Sequence, residues 1–191
     1  MMKNNKEDGD NVEKKLLDYF WHWTKLLVVC TILVMIVRAF FLIPVEVSGN
    51  SMAPTLKEND FIITENFSEV HRFDVIVFTS PTGGTLVKRV IGLPGDQIMY
   101  EKDQLFVNGE PVDEPFLKDV KKKKNEYVFT TDFHSKDIIN RKKIPENQYF
   151  VLGDNRRLSK DSRSFGTISS ESILGKGKII YYPLKDMGII R

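Results

Sequence analysis

TLVKRVIGLPGD, at residues 85 to 96, begins with seven residues typical of a β-strand. Side chains alternate between the two faces of a strand, so Lys88 shares a face with Leu86 and Val90, while Arg89 points to the opposite side. Because apolar surroundings disfavour the ammonium form, they lower the pKa of a lysine toward neutral pH. The pattern therefore predicts that Lys88 supplies an uncharged amine able to act as a base, which arginine cannot do.

A second segment, SGNSMAPTL at residues 48 to 56, supplies the group on which such a base would act. Gly49 allows backbone conformations that are closed to other residues and Pro54 restricts the chain, so Ser51 is predicted to lie on a stiff turn. The N–H groups of such a turn are free to stabilise an oxyanion. Each segment alone also fits an ordinary feature, an exposed lysine on a half-buried strand or a polar turn.

Composition limits the remaining possibilities. The chain has 191 residues, of which 41% are hydrophobic, enough for one substantial core and an appendage. Its formal charge of +2 does not favour a nucleic-acid partner, and its one cysteine, Cys30, allows no internal disulfide. Three histidines lie without ligand spacing, at His22, His71 and His134. We therefore expect neither a metal nor a cofactor.

The N-terminal region predicts a transmembrane helix. The apolar run from Leu26 to Val37 is short, but aromatic and aliphatic flanks extend it to residues 21–43, about 35 Å of helix. Nearby positive charge is concentrated before this segment, so residues 1–20 are expected in the cytoplasm and residues 44–191 outside it. The alternative, a cleaved signal peptide, lacks a cleavage motif of small residues after the apolar run.

The region beyond the helix reads as short strands separated by turns. Candidate strands cover residues 61–64, 75–79, 85–91, 97–100, 105–107, 127–130, 149–152 and 178–182. Asn108-Gly109 is a hairpin turn signal, and the one helical signal is a short turn around residues 170–174. The predicted fold is therefore mainly β, with a transmembrane helix followed by an all-β catalytic domain of short antiparallel strands.

Several ordered blocks resemble one protein family. They are SMAPTL at 51–56, RFDVIVF at 72–78, KRVIGLPGD at 88–96, GDNR at 153–156 and SKDSRSFG at 159–166. Together with a single preceding anchor, they are similar to the type I (leader) signal peptidases, membrane-anchored Ser-Lys proteases that remove signal peptides. The short chain with one anchor resembles the Gram-positive branch of that family.

The resemblance implies roles for individual residues. Ser51 matches the family nucleophile, Lys88 its general base, and Ser159 the hydroxyl that orients the lysine amine. Asp161 and Arg163 match a pair that braces the site. Further matches hold the surrounding loop or pack beside the nucleophile: Asp154, Asn155, Arg156 and Met52.

One position departs from part of the family. Some members carry a serine two positions before the nucleophile whose hydroxyl binds the oxyanion, and here that position is Gly49. Ser48 is one residue too early to inherit the role. The oxyanion is then expected to bind the Ser51 N–H, together with another main-chain donor or water.

The resemblance implies a monomeric serine endopeptidase of the cell membrane, with the lipid bilayer and exported preproteins as its partners. The implied chemistry is a Ser-Lys dyad that needs no cofactor. Three alternatives stay open: a self-cleaving Ser-Lys protease, a membrane-tethered β binding module and an inactive paralogue. Cleavage of an added preprotein would distinguish the signal peptidase from all three of these alternatives.

Overall fold

The structure, a computed structural model, describes residues 4–41, 43–123 and 128–190. The chain divides into two compact units, an N-terminal helix and a β domain that follows it. Helix α1 spans Asn4–Phe41, and within it Lys15–Met35 is long and apolar enough to cross a membrane. The helix was expected to reach Ile43, but Ile43 begins the first strand. Pro44 explains this end point, because the residue before proline disfavours the helical conformation.

The β domain consists of short antiparallel strands, as predicted. Its strands are β1 (Ile43–Glu46), β2 (Phe61–Glu65), β3 (Val75–Thr79), β4 (Thr85–Gly92), β5 (Ile98–Glu101), β6 (Gln104–Val107), β7 (Glu110–Val112), β8 (Phe133–His134), β9 (Gln148–Leu152), β10 (Ile168–Ser169), β11 (Ile173–Tyr182) and β12 (Gly188–Ile189). The larger sheet has the order β1-β2-β11-β3-β4-β9-β10, with β12 beside β11. The smaller sheet has the order β7-β6-β5-β8. Strand β4 lies inside the larger sheet, paired on both sides.

Local sequence explains the best-predicted elements. Residues 75–79 form β3 as expected, with four consecutive buried positions. Asn108 and Gly109 join β6 to β7 with φ angles of 54° and 91°. A two-residue turn with positive φ at both positions matches the twist of the strands it connects, which is why asparagine followed by glycine favours it.

Other expectations were wrong in detail. No strand covers Val128–Thr130, because the Asp103 carboxylate accepts the N–H groups of Phe129 and Thr130 that a ladder would use; residue 127 of that predicted strand lies outside the described residues. The helical signal at 170–174 is a single 3-10 turn at Ser170–Ser172. Three helices in the β domain were missed, α2 (Lys118–Lys123), α3 (Ser135–Ile139) and α4 (Ser162–Phe165). Helices of four to six residues are too short to show a helical period.

Candidate active site

Buried side chains on both sides of the turn's proline fix the turn that carries Ser51. Met52, the residue after Ser51, is fully buried, and so is Leu56. Both pack in a hydrophobic cluster with Val47, which precedes the turn. The Leu56 N–H donates to the Met52 carbonyl at 3.0 Å. Gly49 adopts a φ of 76°, a conformation that favours glycine and lets the chain enter this turn. The serine itself stays half-buried at the surface of the core.

Lys88 reaches this serine from the middle of β4. Lys88 pairs with Ile76 of β3 and is only 2% exposed. The Nζ atom lies 2.7 Å from Ser51 Oγ and donates at 2.8 Å to the Val87 carbonyl. The tertiary structure thus joins the two residues that the sequence singled out, although 37 positions separate them.

The environment changes the protonation of this amine. Burial lowers the pKa of Lys88 to about 8, against the opposing attraction of the Asp161 and Asp154 carboxylates. An ordinary lysine is neutral in roughly one molecule in 3,000 at pH 7, whereas a pKa of about 8 leaves about one in ten neutral. A neutral amine 2.7 Å from a hydroxyl can accept its proton.

The backbone of Ser51 is held from the side of β9. The Asn155 N–H donates to the Ser51 carbonyl at 3.0 Å, and the Asn155 side chain donates to the Asn50 carbonyl at 3.1 Å. Among the described residues, the Ser51 N–H has no hydrogen-bond acceptor. That N–H is therefore available for an oxyanion formed next to Ser51 Oγ.

Asp161 organises the loop that contacts Ser51. It caps α4 and binds the Arg163 guanidinium through two hydrogen bonds of 2.8 Å. The same carboxylate accepts the Gly153 N–H at 3.1 Å, while Arg156 donates to the Gly153 carbonyl at 3.0 Å. Both backbone groups of Gly153 are thus fixed, and Arg163 adds a 2.7 Å bond to the Arg156 carbonyl.

Gly153 lies so close to Ser51 and Ser159 that only glycine fits. A β-carbon at this position would lie 2.2 Å from Ser159 Oγ and 2.5 Å from the Ser51 carbonyl oxygen. Ser159 Oγ is buried and has no hydrogen-bond partner among the described residues. Ser159 Oγ therefore makes no hydrogen bond to Lys88 in this structure, although Ser159 lies beside the Ser51 backbone.

Sequence reasoning missed the partner of Asp154. The buried Arg89 guanidinium makes bonds of 2.9 and 2.7 Å to the two carboxylate oxygens of Asp154, and a further bond of 2.7 Å to the Phe73 carbonyl. The ring of Phe116 covers the guanidinium at 4.0 Å. A charged residue within an apolar strand was a usable signal, because buried charges require partners. Its partner lies 65 positions away, which no local pattern reveals.

An apolar cleft of about 330 Å³ opens at Ser51 and Lys88. Its walls include Val45, Val47 and Leu86. Walls of this kind accommodate apolar groups, and Glu46, Ser48 and Thr85 add polar positions to the lining. Among the described residues, no group of three or more His, Cys, Asp or Glu side chains could hold a metal ion.

Comparison with known proteins gives the class of this chain, a serine endopeptidase, and then its family. The family model "Signal peptidase, peptidase S26" matches residues 20–182. Signal peptidase I V of Bacillus subtilis is 43% identical over 157 residues, covering 80% of this chain and 94% of that protein. Signal peptidase IB of Staphylococcus aureus is 38% identical over 184 residues, covering 92% of this chain and 94% of that protein.

The similarity extends to solved structures. The crystal structure of a signal peptidase I from Enterococcus faecalis matches with a TM-score of 0.55 and 38% identity, covering 58% of this chain and 98% of that chain. The chain belongs to the signal peptidase family, peptidase S26. An apolar N-terminal helix in a member of this family indicates membrane anchoring.

Proposed function

We propose that this chain is a membrane-bound signal peptidase that cleaves signal peptides from exported preproteins with a Ser51-Lys88 dyad. The observation that carries the proposal is the 2.7 Å contact between a 2% exposed amine and a hydroxyl. Structural lysines in β domains are usually paired with carboxylates or exposed. Lys88 instead places its amine against a serine at the edge of a cleft.

The reaction follows from that contact. Neutral Lys88 accepts the proton of Ser51 Oγ as the oxygen attacks the scissile carbonyl, and the Ser51 N–H binds the resulting oxyanion. The protonated amine then donates its proton to the leaving nitrogen, so the peptide bond breaks and an ester to Ser51 remains. Water, deprotonated by the same amine, hydrolyses the ester and regenerates the serine.

The surrounding residues act by positioning these groups. Asn155 holds the Ser51 carbonyl, and the Asp161-Arg163 pair holds Gly153 beneath it. Ser159 is proposed as a support of the dyad, as the family resemblance implies, from its place beside Gly153. Rigid positioning matters because a displacement of about 1 Å can cost 100-fold in rate.

The cleft accounts for the choice of substrate. An extended peptide presents alternate side chains to one side, and small residues before the scissile bond suit the walls formed by Val47 and Leu86. Signal peptides carry small residues at their cleavage sites. We assign residues 1–20 to the cytoplasm, the rest of α1 to the anchor and the β domain to the outer side of the membrane, on the positive charge of the N-terminal flank.

The experiment is cleavage of an added preprotein by the full-length protein in detergent. Ser51→Ala and Lys88→Ala are expected to abolish cleavage with an unchanged β circular dichroism signal, while the exposed control Lys142→Ala keeps wild-type activity. Full activity in either dyad variant would refute the assigned roles. Cleavage of the protein at one of its own bonds, with no cleavage of preprotein, would instead favour a self-cleaving protease.

A further inference from the structure

A second cavity lies beside the nucleophile and differs in character from the apolar cleft. It has a volume of about 420 Å³, and three arginines line it, Arg156, Arg157 and Arg163. Among the described residues that line it, none is acidic. Its remaining lining residues are Val128, Phe129, Thr131, Ser159 and Ser164. The two cavities share no lining residue, so they are separate surfaces.

The arginines of this cavity are not equally neutralised. The Arg156 guanidinium binds Glu114, and that of Arg163 binds Asp161. Arg157 is exposed and forms no ion pair with any described residue. The uncompensated positive charge of the cavity therefore resides on Arg157, which is free to bind an incoming carboxylate.

The connection to the nucleophile is short. The Asn155 N–H binds the Ser51 carbonyl at 3.0 Å, and Arg157 follows Asn155 by two residues. Two peptide units span at most about 7.6 Å, close to the length of two extended substrate residues. Ser159, which lines the cavity, lies beside the same carbonyl through Gly153. With the 3.0 Å hydrogen bond added, the Arg157 Cα lies within about 12 Å of the Ser51 carbonyl oxygen, a span that two extended substrate residues and the arginine side chain cover together.

The direction of the substrate follows from the chemistry of the two surfaces. Residues before the cleavage site of a signal peptide are small and follow an apolar segment. These residues fit the cleft with Val45, Val47 and Leu86 on its walls. The segment after the scissile bond is the N-terminus of the mature protein, and it would then bind in the arginine-lined cavity.

We infer that the arginine-lined cavity is a subsite for the mature part of the preprotein, and that Arg157 favours an acidic residue at the second position after the scissile bond. The inference rests on the proposed function and names a feature of its substrate. Arg157 acts in this subsite by binding substrate, not by taking part in proton transfer. Because the arginine is exposed, its attraction for the carboxylate weakens as salt concentration rises.

The test uses the full-length protein in detergent and three preproteins that differ at one residue. The second position after the scissile bond carries Glu, Gln or Lys, and a matched set carries the same three residues at the tenth position. Wild-type protein is expected to cleave the Glu substrate with a kcat/KM about two- to fivefold above the Gln substrate, the range of a partly exposed ion pair. At the tenth position the three substrates are expected to be cleaved equally.

Variants then assign the effect to one side chain. Arg157→Gln is expected to bring the Glu-to-Gln ratio close to one, and Arg157→Glu is expected to favour the Lys substrate. The control Arg141→Glu, an exposed arginine outside both cavities, keeps the wild-type ratio. Equal cleavage of the Glu and Gln substrates by wild-type protein, or an unchanged ratio in Arg157→Gln, would overturn the inference alone. Failure of wild-type protein to cleave any of the substrates would overturn the proposed function and the inference with it.

Discussion

Replacing Lys88 with methionine is expected to stabilise the β domain while it abolishes cleavage. The amine is 2% exposed, and burial lowers its pKa from the ordinary 10.5 to about 8. At 1.36 kcal/mol per pKa unit, keeping the ammonium in this environment costs about 3 kcal/mol of folding stability. Methionine has a similar length and no charge, so it removes that cost.

Two lost hydrogen bonds reduce the gain. The amine contacts Ser51 Oγ and the Val87 carbonyl, and each such bond contributes about 0.5–1.5 kcal/mol. The expected net stabilisation at pH 7 is therefore about 0–2 kcal/mol.

The pH dependence gives a sharper test than the magnitude. Between the folded pKa of about 8 and the unfolded value of 10.5, the unfolded state binds more protons than the folded state. The stability of the wild-type protein therefore rises with pH in this window, whereas Lys88→Met lacks the effect. The part of the variant's advantage that comes from removing the buried charge is full below pH 8 and is lost as the pH rises through 10.5, which leaves only the effect of the two lost hydrogen bonds.

Urea unfolding of the full-length protein in detergent, followed by circular dichroism of the β domain at pH 7, 9 and 10.5, measures both effects. The control Lys142→Met replaces an exposed lysine and is expected to change stability by less than about 0.5 kcal/mol. A variant less stable than wild type at pH 7, or a difference that does not change between pH 7 and 10.5, would refute the reasoning about the buried amine.

Three further outcomes are expected. The kcat/KM for preprotein rises about tenfold per pH unit below a pKa of about 8 and then levels, and a profile flat from pH 5 to 9 would exclude the buried amine as the base. Gly153→Ala lowers kcat, because the new methyl group overlaps the nucleophile's carbonyl, while Gly188→Ala, with open space around it, keeps activity in the same assay. Asp154→Asn leaves the Arg89 charge buried without its partner and costs about 3–5 kcal/mol in urea unfolding; a loss below 1 kcal/mol would contradict this ion-pair argument.

The strands that sequence reasoning found share a local cause. Residues 75–78 form a continuous apolar run, as a strand buried on both faces requires, and residues 85–91 are apolar apart from Thr85 and the adjacent charges of Lys88 and Arg89. The Asn108-Gly109 turn needs only two adjacent residues with positive φ. Helix α4 was missed because its N-terminal cap, Asp161, was assigned to the site and the helix has only four residues.

The sequence by itself determined the chemical groups of the site and the family to which the chain belongs. Ser51 and Lys88 are recognisable because each stands in a local pattern, a turn or a strand, whose physics depends on neighbouring residues. The tertiary structure alone decided that Arg89 pairs with Asp154, that Gly153 presses against Ser51, and that an arginine-lined cavity opens beside it. These features depend on contacts between residues distant in the chain, and such contacts exist only once the sheets and loops have packed.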